Sequence, residues 1–128
     1  MLETVLARDM KTLSSERDVP LVGQALWAAE RVVQAPSNSA FAFPRYIQAD
    51  TTAANSASAA LNKWLKQHVP GGCTIHSFRH SMRDRLRAVE CPSEIIDQIG
   101  GWQTDGIGHG YGTGSPISVL QRQLMKIT

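Results

Sequence analysis

With 128 residues, 42% of them hydrophobic, the chain fits a single domain (1–128) with enough apolar material for a core that needs no disulfide or metal staple. Its 13 Lys and Arg against 11 Asp and Glu leave a formal net charge of +2, so bulk charge does not mark a nucleic-acid binder; an anionic partner has to be argued from where the cations sit. No apolar run reaches the roughly 20 residues that a bilayer crossing needs, no secretory leader pattern is present, and the two cysteines, Cys73 and Cys91, suit a reducing, cytoplasmic setting.

Residues 1–19 read as a short strand or hairpin remnant that Pro20 ends. From Pro20, the apolar positions Val22, Ala25, Leu26, Ala29, Val32 and Val33 recur three and four apart, which predicts a helix with proline in its first turn, stopping before Pro36. Residues 35–50 hold two prolines and several turn formers around Phe41, Phe43 and Tyr46, an irregular link whose aromatics are expected to dock on the core. In the next helix Ala57, Ala60, Leu61, Trp64 and Leu65 form an apolar stripe, Asn62, Lys63 and Lys66 lie off it, and the PGG of 70–72 closes it. Trp27 and Trp64, each on a helical stripe, are read as packing residues. Phe78, Met82, Leu86 and Val89 then have the spacing of one buried helical face, and a short helix from Pro92 to Ile99 carries Ile95, Ile96 and Ile99. Residues 100–116 are too rich in glycine to be regular throughout; a last helix with Ile117, Leu120, Leu124 and Ile127 on one side must pack on its own domain or on a neighbour. The fold class expected is mainly α, with at most a small remnant β-hairpin or sheet near the N-terminus.

The basic stretch HSFRHSMRDRLR, residues 76–87, concentrates charge that the rest of the chain lacks. At about 100° per residue, His76, Arg79, His80 and Arg83 fall along one strip of a helix, offering imidazoles and two guanidinium forks to one object. Guanidinium holds phosphate oxygens through paired hydrogen bonds, and imidazole exchanges a proton near neutrality, so the pattern suits phosphate chemistry. Two other readings use the same residues. One is a solvated helix face with Asp84 and Glu90 as acidic neighbours; the other is a zinc site from Cys73, His76 and His80, which would place Arg79 beside the cation and lacks a second pair of ligands.

Downstream, the order HSFR, then GGW at 100–102, then a lone tyrosine in GHGYG resembles the catalytic domain of the tyrosine recombinases, the phage integrase family. On that resemblance the family's H-x-x-R box falls on His76 and Arg79, its histidine-or-tryptophan position on Trp102, and its nucleophile, nine residues later, on Tyr111. The stretch MKTLSSERDVPL resembles the family's β-hairpin and assigns Lys11 as its catalytic lysine. A further family arginine, which precedes the hairpin, has no counterpart here, since Arg8 stands only three residues before Lys11. The resemblance therefore implies a partial catalytic domain, a fragment or truncated product of a larger integrase, that is inactive by itself.

What the family implies is site-specific recombination of double-stranded DNA through a 3′-phosphotyrosyl intermediate, with no metal and no other cofactor. Tyr111 would attack, Arg79 hold a non-bridging phosphate oxygen, His76 assist proton transfer, Trp102 donate its indole N–H, and Lys11 protonate the leaving 5′-oxygen. Arg83, Arg85, Arg87 and His80 are assigned to DNA contact, the three arginines with surface ion pairs as the alternative. Likeness to the family also implies a tetramer on DNA, with possible exchange of the C-terminal helix, and no membrane association. The glycines at 106, 108, 110, 112 and 114 bracket Tyr111 as a mobile segment would require, although an ordinary loop with a surface tyrosine has the same composition; His109 is read as an exposed loop histidine. The alternative function is a DNA-binding or assembly module of the same fold that performs no chemistry.

Overall fold

The computed structural model describes residues 16–48, 51–102 and 114–128, and among these the chain is mainly helical. Five α-helices follow one another: α1 (Gly23–Gln34), α2 (Ala54–His68), α3 (Ile75–Ala88), α4 (Ser93–Gly100) and α5 (Ile117–Met125). Between α1 and α2 a 3-10 turn at Pro44–Tyr46 leads into two short strands, β1 (Ile47–Gln48) and β2 (Thr51–Thr52), paired antiparallel with Ile47 opposite Thr52 and Gln48 opposite Thr51. This pairing falls in a stretch whose prolines and turn formers suggest irregular structure. The hairpin expected at the N-terminus lies outside the described residues up to position 15, and residues 16–22 take no regular form.

Helix α1 begins at Gly23, later than the proline signal suggests, because Val22 is still extended (φ −136°, ψ 158°) and packs its side chain against the core. It ends where expected: Ala35 returns to extended backbone (φ −67°, ψ 135°), as the residue before a proline must. Helix α3 opens on Thr74, whose backbone N–H donates to the Ser77 hydroxyl at 3.0 Å. Its next free N–H, that of Ile75, donates to Asn62 Oδ1 on α2 at 2.8 Å, so a polar residue off the apolar stripe of α2 caps its neighbour. At its other end Glu90 adopts a left-handed conformation (φ 55°), and the Cys91 N–H reaches back to the Leu86 carbonyl at 3.0 Å, a helix stop that glycine usually makes.

The core is built by the last three helices. Leu86 from α3, Ile95, Ile96 and Ile99 from α4, Leu120 and Leu124 from α5, and Cys91 between α3 and α4 form one buried cluster, flanked by Val22, Met82, Val89, Trp102, Val119 and Ile127. Helix α5 thus packs on its own chain. Burial raises the Cys91 thiol above its ordinary range by desolvation, an effect that nearby Lys126 partly offsets.

Several expected packing residues lie elsewhere, and Phe43, expected to dock on the core from the 35–50 link, is 65% exposed. Trp27 is 53% exposed, Trp64 54% and Phe78 64%, and α2 buries only Leu65. Both tryptophans instead contact the residue one turn ahead on their own helix. The Arg31 guanidinium lies 4.8 Å from the Trp27 ring centroid, and the His68 ring stacks on Trp64 at 4.3 Å. Periodicity identified residues that share a face; it did not supply a second surface to cover that face. No helix among the described residues is long and apolar enough to cross a membrane.

Candidate functional site

The end of α4 is where the sequence motifs converge. Gly101 takes the left-handed turn (φ 65°) that stops the helix, and the Trp102 N–H donates to the Asp97 carbonyl at 3.0 Å, which swings the indole back over the helix. There it lies directly on Gly100: a Cβ at position 100 would fall 1.9 Å from Trp102 Cζ3 and 2.0 Å from Cε3. The two glycines of GGW therefore have separate physical causes. Gly101 supplies the backbone conformation, and Gly100 supplies the bare surface on which the ring is seated.

Helix α3 brings its cations to the other partner of that ring. The Arg79 guanidinium lies 4.2 Å from the Trp102 centroid and that of Arg83, one turn on, lies at 5.0 Å, so both are within cation–π reach of one indole. Both arginines are half-buried, and neither has a carboxylate within ion-pairing distance among the described residues. His76 and His80 stand on the same strip, exposed, with rings in edge contact at 4.8 Å. The result is a shelf of two guanidiniums on an aromatic seat, bordered by two accessible imidazoles, with its positive charge unpaired among the described residues.

Other predicted residues fall outside this shelf. Arg85 donates to the Ile127 carbonyl and so ties α3 to the turn that follows α5. Arg87 faces Asp84 at 3.9 Å, an exposed pair that fits the surface ion-pair reading. Lys11, His109 and Tyr111 lie outside the described residues. Cys73, His76 and His80 do not gather: among the described residues no three His, Cys, Asp or Glu side chains form a set that could hold a metal ion, and the Cys73 thiol is directed at the Pro70 carbonyl, 3.9 Å away.

Three residues that sequence reasoning passed over organise the region. Arg17 Nε donates to the Ile99 carbonyl at 2.9 Å, carrying the N-terminal segment to the end of α4 and placing a cation at that helix's negative pole. Gln98 clamps Ser115 from both sides, its Nε2 donating to the Ser115 carbonyl at 3.0 Å and its Oε1 accepting the Ser115 N–H at 2.9 Å. Trp102 and Ser115 are thus both held at the same end of α4, one by the Asp97 carbonyl and the other by Gln98. Gly100 is the third. A glycine directly before a helix-stopping glycine was a signal that could have been read; the Arg17 bond to Ile99 and the Gln98 bonds to Ser115 carried none, because they run to backbone atoms.

No described protein family, curated protein or solved structure matches the chain.

Proposed function

We propose that the chain carries the phosphate-binding part of a DNA strand-exchange site of the tyrosine recombinase type, and that Tyr111 is its nucleophile. The observation that carries the reading is the half-buried Arg79 guanidinium seated on Trp102 with no carboxylate partner among the described residues, one helical turn from the exposed His76. A guanidinium held in place on an aromatic ring is suited to a phosphodiester, whose two non-bridging oxygens match its paired donors.

The chemistry follows from those groups. The Tyr111 oxygen attacks phosphorus, a bond to the 5′-oxygen breaks, and the strand is held as a 3′-phosphotyrosine, so that the energy of the broken ester is kept for rejoining. Forming a phenolate at pH 7 from a phenol of pKa about 10 costs about 4 kcal/mol, which neighbouring cations reduce. Arg79 holds the charge that develops on the non-bridging oxygens, and His76 passes the proton. Trp102 orients Arg79 through its ring and offers its indole N–H to the phosphate. Lys11 delivers a proton to the departing 5′-oxygen. Connectivity supports the part assigned to Tyr111: it stands four positions before Ser115, which Gln98 fixes to α4, and four chain steps span at most about 14 Å. His80, Arg85 and Arg87 add contacts to double-stranded DNA. The scheme calls on no metal or other cofactor, and tetramers on paired sites, with or without exchange of α5, remain part of the reading by likeness alone.

A second reading, a DNA-binding or assembly module without chemistry, is favoured by the exposed apolar side chains of α1 and α2, among them Leu26, Trp27, Val33, Leu61 and Trp64. Covalent trapping on a nicked duplex separates the two, with methylguanidinium in solution standing in for the upstream arginine. The enzyme reading expects a protein–DNA adduct that Tyr111→Phe abolishes. No adduct from the wild-type chain, with or without methylguanidinium, would favour the module.

A further inference from the structure

Arg83 is required by no motif, yet it makes the same ring contact as Arg79. Its guanidinium carbon lies 5.0 Å from the Trp102 centroid, and its Nε is buried without a hydrogen-bond partner among the described residues. A guanidinium N–H that gives up water without gaining an acceptor is costly, and the compensation in reach is the negative face of the indole. The ring in turn has little freedom: Gly100 lies directly beneath it, and its backbone N–H is held by the Asp97 carbonyl. Arg83 and Arg79 stand one turn apart on α3 and share that ring, so where Arg83 holds the indole also decides where Arg79 can rest.

We propose that Arg83 is a positioning residue, which pins the Trp102 indole over Gly100 so that Arg79 is presented to a phosphodiester in one orientation. The proposal rests on the reading of Arg79 as the phosphate-binding group. It differs from a backbone-contact role for Arg83, because Arg83 would act through the ring and not through the DNA. It also differs from simple packing. Methionine at 83 would fill the space of the side-chain stem without its charge, and lysine would keep a cation that can lie on the ring.

The test is nitrogen–proton NMR of the arginine side chains in the wild-type chain, R83M and R83K at slightly acidic pH, with duplex DNA affinity measured separately. In the wild-type chain the Nε–H resonance of Arg79 should be displaced by the indole ring current. R83M should return it toward the position of a free arginine and weaken duplex binding by about threefold to tenfold, the effect of losing one partly desolvated cation–π contact; R83K should restore much of both. An Arg79 resonance that R83M leaves in its wild-type position would overturn the proposal. Should R83M fail to fold, the wild-type Arg83 Nε–H decides: displaced and slow to exchange supports the proposal, and a free-arginine position with fast exchange overturns it. A wild-type chain that binds no duplex would defeat the phosphate reading, while the ring-current comparison would still decide the positioning.

Discussion

Helices α1 and α2 are together longer than α4 and α5, yet the shorter pair holds the protein together. α4 buries Ile95, Ile96, Ile99 and Gly100 in eight residues; α1 buries no residue in twelve, and α2 buries only Leu65 in fifteen. Amphipathic spacing occurs in both halves. The difference is that the isoleucines of α4 meet apolar faces from two other helices, whereas the tryptophans of α1 and α2 meet a charged or polar residue of their own turn. The candidate site sits on the well-packed half, which is where a guanidinium can be held still.

If this contrast is real, truncations in the two halves should differ several-fold. Ile99→Ala and Leu86→Ala, at 1% and 0% exposure, should each lower unfolding free energy by about 3–5 kcal/mol in denaturant titration, whereas Leu61→Ala, at 48%, should cost less than about 1 kcal/mol. Equal costs would erase the distinction. Next in size is Gly100→Ala, whose new methyl would fall inside the Trp102 ring; it should cost about 1–3 kcal/mol and shift the Trp102 fluorescence in a Trp27→Phe, Trp64→Phe background. Asn62→Ala removes the acceptor that joins the two halves and leaves the Ile75 N–H unpaired, for a loss of about 1 kcal/mol.

A pH dependence sharpens the comparison further. Because burial raises the folded-state pKa of Cys91, the folded chain holds that proton more tightly than the unfolded chain does. The stabilisation is complete below the ordinary thiol range and is lost as pH climbs through the raised value. Alkaline unfolding curves of the wild-type chain should therefore fall more steeply than those of Cys91→Ala, and parallel curves would remove thiol burial as a cause. One small expected effect has the opposite sign. Glu90→Gly relieves a left-handed conformation (φ 55°) and should stabilise by about 1 kcal/mol.

Much of this could be read from the residues. The isoleucines at 95, 96 and 99 and the leucines at 86, 120 and 124 are spaced as helix faces and are buried as such, and the strip of Arg79 and Arg83 on one side of α3 follows from its turn angle. Trp27, Trp64 and Phe78 were misread, since hydropathy reports what a residue would gain from cover and not whether another element arrives to provide it. The strands at 47–52 were missed because two-residue pairings leave no alternation to detect. The seat of Trp102 on Gly100, the Arg17 bond to Ile99 and the Gln98 clamp on Ser115 all depend on how α4 ends in space, and local sequence carries that only in the pair of glycines.

The central claim is that Arg79, and not merely the basic surface around it, engages phosphate. Phenylglyoxal modification followed by peptide mass spectrometry, with and without duplex DNA, measures this residue by residue. The account predicts that DNA slows modification of Arg79 most, and that added salt removes the protection. Protection of Arg85 and Arg87 with Arg79 modified at an unchanged rate would contradict it.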